Sequence, residues 1–90
     1  MIIISYDIKN NKLRTKFAKM LEANGAIRLQ YSVFEARNST RILDNLRLSI
    51  KEEYGPLLCM DDSVVIFHCD EEKTEKYGNS LHRDEDCLFL

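Results

Sequence analysis

The chain opens on MIIISYDI, a run of β-branched side chains that turns polar only at its end. Branching at Cβ stiffens χ1 and favours an extended backbone, and the run is one strand long. Residues 1 to 8 are therefore predicted to form a strand. A period of two puts Ile2, Ile4, Tyr6 and Ile8 on one face, with Ile3, Ser5 and Asp7 on the other. So apolar a strand must be covered by other elements. It also delivers the Asp7 carboxylate to its carboxyl end, an expensive place for a charge without a partner.

The next segment, KNNKLRTKFAKMLEANG, reads as a helix. Asn10 or Asn11 caps its start and Gly25 supplies the left-handed residue past its end. Leu13, Phe17, Met20 and Leu21 make its apolar stripe. Arg14 lies near the helix start, in reach of the strand end that carries Asp7. In AIRLQYSVFEARN the alternation breaks at Tyr31-Ser32 and then resumes. This predicts strands 27–30 and 33–37 around a tight turn, or one continuous bulged strand. NSTRILDNLRLSIKEEYGP is a second helix, capped by Asn38 or Ser39 and ended by Gly55-Pro56. SVVIFHC, residues 63 to 69, reads as a further buried strand. A charged connection over 70–86 leads to CLFL, residues 87 to 90, a short terminal strand.

The order β-α-β-β-α-β predicts an α+β fold of ferredoxin-like type, two helices covering one face of an antiparallel sheet. Residues 1 to 90 form one domain with a core over about 1–69, and 70–90 carry the last strand to a partner subunit's sheet edge. Ninety residues bury only roughly 60 to 65% of the unfolded surface, so a homodimer is a natural supplement. No segment has the length of a membrane span or the layout of a signal peptide, which predicts a cytoplasmic protein. Cys59, Cys69 and Cys87 match neither a disulfide framework nor a metal knuckle and read as free thiols.

The net charge of −2 conceals a division along the chain. Residues 9 to 51 hold ten Lys and Arg against three acids, whereas residues 52 to 90 hold three against eleven. Either the basic half presents a phosphate-binding face, or the halves interleave in space and cancel. Lys9, Lys12, Arg14, Lys16, Arg37 and Arg41 are the candidates for nucleic-acid contact. Arg41, with Arg47 and Lys51, is equally read as a solvated helix face. A carboxylate for Mg²⁺ ringed by cations for phosphate is the minimum equipment for phosphodiester chemistry. Asp7, Arg14, Lys16, Arg28 and Ser32 supply those types. The structural alternative is that Asp7 caps the first helix or pairs with Arg14. His68 and His82 read as structural, and Asp61-Asp62 and 84–86 as solvated loop.

SYDI closing the first strand, LRTK in the first helix and RLQYSVFEA before the second together resemble the small CRISPR-associated protein two family. The resemblance covers about residues 1 to 69. It implies a partner of the CRISPR integrase in spacer acquisition: a ferredoxin-like homodimer that binds duplex protospacer DNA or single-stranded RNA. It further implies one Mg²⁺ or Mn²⁺ per dimer, shared by Asp7 of both subunits. The residues implicated in nuclease-active members fall on Tyr6, Asp7, Arg14, Lys16, Arg28 and Phe34, with Ser32 near the metal or its waters. Lys16 stands where some members have arginine, and lysine holds phosphate as a point charge, not as a fork. Members that cleave and members that act as scaffolds share this pattern. Outside the family, a ribonuclease toxin of similar fold is the rival reading.

Overall fold

The structure is a computed structural model, and it describes residues 1–78. The elements follow the predicted order: β1 (Ile2–Asp7), α1 (Asn11–Ala23), β2 (Ile27–Gln30), β3 (Val33–Ala36), α2 (Thr40–Leu48) and β4 (Ser63–His68). The strands form one sheet in the order β2-β3-β1-β4, with every neighbouring pair antiparallel. This is the ferredoxin-like arrangement.

Local chemistry explains where each helix begins and ends. The Asn10 side chain accepts from the Leu13 N–H at 2.9 Å, answering one of the orphan donors at the start of α1. At the other end Gly25 takes φ +87°, which lets its N–H reach the Glu22 carbonyl and the Ala26 N–H reach that of Leu21. Ser39 caps α2 by accepting from the Ile42 N–H.

Ile2, Ile4, Tyr6 and Ile8 of the first strand segment pack with Phe34 and Ala36 against Phe17, Ala18 and Leu21 of α1 and Leu43 and Leu46 of α2. Both helices thus cover one face of the sheet. The core is built on the parity read from the sequence, and Leu13 and Met20 lie at its margin.

Two expectations change. The second helix does not run regularly to Gly55: after Leu48 the chain widens into a π-helical turn over Ser49–Tyr54 and tightens into a 3₁₀ turn over Gly55–Leu57. The wider turn sets the Tyr54 ring perpendicular to Phe17 at 5.2 Å and lets its hydroxyl donate to the Lys16 carbonyl at 3.2 Å. Nor is β4 a buried strand. Among the described residues it is an edge of the sheet, and within it only Val64 and Ile66 lean on the core, while Val65, Phe67 and His68 are exposed.

The charged connection contains a 3₁₀ turn at Glu71–Lys73, and beyond it Lys76 pairs with Glu35 of β3. The predicted terminal strand, 87–90, lies outside the described residues. Among the described residues no helix is long and apolar enough to cross a membrane.

Candidate functional site

The turn between β2 and β3 and the carboxyl end of β1 form one place in the fold. Tyr31 and Ser32 make the turn, and Ser32 adopts φ 69°, the left-handed region that side chains other than glycine enter at a cost. The Ser32 carbonyl accepts from the Tyr6 N–H at 3.1 Å, which ties the turn to the last residues of β1. A register shift between Arg28 and Gln30 completes the irregularity. The break in the sequence pattern is therefore a tight turn with a bulge beside it, between the strands 27–30 and 33–36.

Around this junction lies a ring of aromatic and cationic groups. Tyr6 is buried, edge-on to Phe17 at 4.8 Å and stacked with Phe34 at 6.2 Å. The Arg28 guanidinium sits 4.8 Å from the centre of the Phe34 ring, directly across the β2–β3 pair. Arg14 reaches back from α1 and donates to the Ile8 carbonyl at 2.9 Å, to the Lys9 carbonyl at 3.4 Å and to the Asn11 side chain. Its guanidinium also lies 5.9 Å from the centre of the Tyr31 ring.

Burial pushes the Tyr6 phenol above its ordinary pKa. Arg28, a hydrogen bond with the Ser32 side chain and Arg14 pull it part of the way back. Tyr6 is thus a neutral hydrogen-bonding group at neutral pH. Of the residues selected from the sequence, Tyr6, Arg14, Arg28, Ser32 and Phe34 come together here. The Ser32 hydroxyl is placed beside Tyr6.

Asp7 stands apart from that ring. Period two turns it to the sheet face without helices, where it is exposed and pairs with the Lys9 ammonium at 2.9 Å. It is neither buried nor the cap of α1, and Arg14 bonds the carbonyls beside it instead of its carboxylate. Lys16 is exposed on α1, about 200° around the helix from Arg14. Lys12, Arg37 and Arg41 are likewise exposed.

Two groups anchor this end of the sheet: Lys9, and Asp62, whose carboxylate the sequence pattern assigns to a solvated loop. Lys9 is held by its own N–H to the Asp62 carboxylate at 3.0 Å and by its ammonium to the Asp61 carbonyl at 3.4 Å. Asp62 also accepts from the Cys59 N–H at 2.8 Å. The backbone donors of Cys59 and Lys9 hold its carboxyl below the usual range. Asp62 is thus a fixed element of the loop leading into β4. The one available signal was its place three residues after Cys59 at a chain reversal, a setting that suits carboxylate-to-backbone bonds.

As for a divalent ion, Asp7 is the carboxylate that β1 itself carries at its end, with Asp61 and Asp62 of the loop into β4 near Lys9. Among the described residues no group of three or more His, Cys, Asp or Glu side chains is placed to hold one. Hard carboxylate oxygen is the donor Mg²⁺ prefers, and that ion keeps several waters; Asp7 is a donor of that kind.

A family model described as CRISPR associated protein Cas2 matches residues 1–77. The chain is 40% identical over 53 residues to CRISPR-associated endoribonuclease Cas2 1 of Methanospirillum hungatei JF-1, a match spanning 59% of this chain and 56% of that protein. It is 34% identical over 82 residues to CRISPR-associated endoribonuclease Cas2 3 of Chloroflexus aurantiacus, spanning 88% of this chain and 84% of the relative. Two crystal structures are similar to it. A hypothetical protein from Thermus thermophilus superposes with a TM-score of 0.63 at 30% identity, covering 77% of this chain and 79% of the other. A structure described as cas2 superposes with a TM-score of 0.62 at 23% identity over 99% and 94%, a likeness of fold.

Proposed function

Because the chain belongs to the CRISPR associated protein Cas2 family, we propose that it acts in CRISPR adaptation as a homodimer that binds nucleic acid with the CRISPR integrase. We further propose that it cleaves phosphodiester bonds at Asp7. The observation that carries the second proposal is the placement of Asp7: an exposed carboxylate at the end of a central strand, just before the Ile8 and Lys9 carbonyls that hold Arg14. The two relatives are both described as endoribonucleases, which favours RNA as the substrate.

The sheet supports the dimer. Its face away from the helices, uncovered among the described residues, carries Ile3, Val33, Val65 and Phe67. A second copy laid on that face buries them and brings the two Asp7 carboxylates toward one axis. Asp7 of both subunits would then hold one Mg²⁺ or Mn²⁺, which supplies charge stabilisation at the phosphate and a more acidic bound water.

The chain's own residues do the rest. Arg14, fixed by the Ile8 and Lys9 carbonyls, presents its remaining donors to a phosphate. Arg28 adds positive charge from β2, and the neutral Tyr6 phenol holds the Ser32 turn in place. Lys9 must release Asp7 before a cation can bind there.

The test is cleavage of single-stranded RNA and of duplex DNA, with and without Mg²⁺, by wild type and Asp7→Asn. Metal-dependent cleavage that survives the substitution removes Asp7 from the chemistry. The Lys9–Asp7 ion pair favours a second reading, a non-catalytic DNA-binding scaffold of the integrase complex. Under it, spacer acquisition persists in Asp7→Asn.

A further inference from the structure

Tyr31 is the most exposed aromatic ring near the proposed site, at 72% of its full accessibility. Three features fix it in place. It precedes Ser32, whose left-handed backbone sets the direction of the turn. The turn is bonded to β1 through the Ser32 carbonyl and the Tyr6 N–H. The Arg14 guanidinium lies 5.9 Å from the ring centre, itself anchored to two main-chain carbonyls.

An exposed ring is not by itself a site, but the surroundings here say what suits it. The flanking side chains are Gln30 and Ser32, both able to hydrogen-bond, and the Arg14 guanidinium lies beside the ring. An aromatic face bordered by a cation and by amide and hydroxyl groups matches an unpaired base with its phosphate.

We infer that Tyr31 is a stacking platform for one unpaired base of a single-stranded nucleic acid, with Arg14 holding the adjoining phosphate. This rests on the nucleic-acid-binding reading above and narrows it. A paired base offers no free face, so the platform distinguishes single strands and frayed ends from the body of a duplex. It also gives Tyr31 a part in specificity that the turn alone does not require.

The experiment measures binding of a dodecauridylate RNA and of a blunt 20-base-pair DNA duplex to the full chain, for wild type, Tyr31→Ala, Tyr31→Leu, Tyr31→Phe and Tyr31→Trp. Light scattering records the mass of each variant. The Ala and Leu variants are expected to lose about 5- to 150-fold on the RNA, the worth of one stacked base. Duplex affinity stays constant, and the Phe and Trp variants bind RNA as wild type does. The slope of affinity against salt is expected to persist in Tyr31→Ala, because the ring carries no charge, and to flatten in Arg14→Gln.

Equal losses on RNA and duplex, or no loss on either, overturn the stacking role while leaving nucleic-acid binding intact. A lowered mass in Tyr31→Ala with unchanged RNA affinity per dimer assigns the ring to a protein interface and overturns it too. If wild type binds neither probe, both this inference and the function it rests on fail.

Discussion

A single ammonium decides how Asp7 behaves. The Lys9–Asp7 pair is exposed on both sides, so its contribution to stability is small, and Asp7→Asn is expected to melt with the wild type in calorimetry. The same pair opposes a cation. Lys9→Met is expected to lower the Mg²⁺ or Mn²⁺ concentration needed for half-maximal metal binding, measured by calorimetric titration. Ser32 is the second decisive residue. A β-branched side chain at φ 69° is strained, so Ser32→Val should cost about 1–2 kcal/mol in urea unfolding, whereas Ser32→Gly should not. Tyr6 supplies a pH signature. Its phenol is raised above 10.0 in the folded chain. The unfolded chain therefore loses that proton first: stability is whole below about pH 10 and falls as pH rises through the folded value. Tyr6→Phe should lessen this fall in urea midpoints taken from pH 9 to 11. The residue types at this junction were legible in the sequence, but their pairing was not. Parity alone gives the face of Asp7, and it sets Lys9 on that same side, but Lys9 lies past the end of β1, where alternation no longer says whether the two side chains meet.

At the scale of elements, the caps and stripes spoke clearly. Asn10 and Gly25 stand at the ends of α1 because their local chemistry satisfies orphan backbone groups whatever the tertiary context. Asn10→Ala should cost about 1 kcal/mol. Phe17→Ala, which empties a fully buried position touching both Tyr6 and Tyr54, should cost about 3–5 kcal/mol, a large share of a small domain's stability. Urea denaturation reads both. The π-helical turn was illegible because Leu43, Leu46, Ile50 and Tyr54 fit a regular helical stripe; only the packing of Tyr54 on Phe17 shows the widening. The exposure of β4 is illegible for a related reason. Its apolar residues alternate in depth, and a run of valine, isoleucine and phenylalanine looks the same whether its second face meets a helix or is left open.

That open face governs the molecule as a whole. Strand order leaves Val65 and Phe67 43% and 51% exposed on the side away from both helices. A protomer of this size with such a face is expected to be dimeric by light scattering at micromolar concentration. Phe67→Glu should give monomers with an unchanged circular dichroism spectrum. The overall topology was legible because it follows from the order of six periodic segments; the exposure of the second sheet face was not, since nothing in one chain's periodicity says what lies outside it. One further consequence concerns the extra residue that the widened turn between Leu48 and Gly55 accommodates. A looser coil of this kind absorbs a one-residue excess while both flanks keep their facing. Excising Lys51 should let the segment relax into an ordinary spiral with Tyr54 still lodged against Phe17, whereas excising Asp44 from α2 would swing everything after it by about 100°. The protein therefore carries, at one defined spot, room to be shortened.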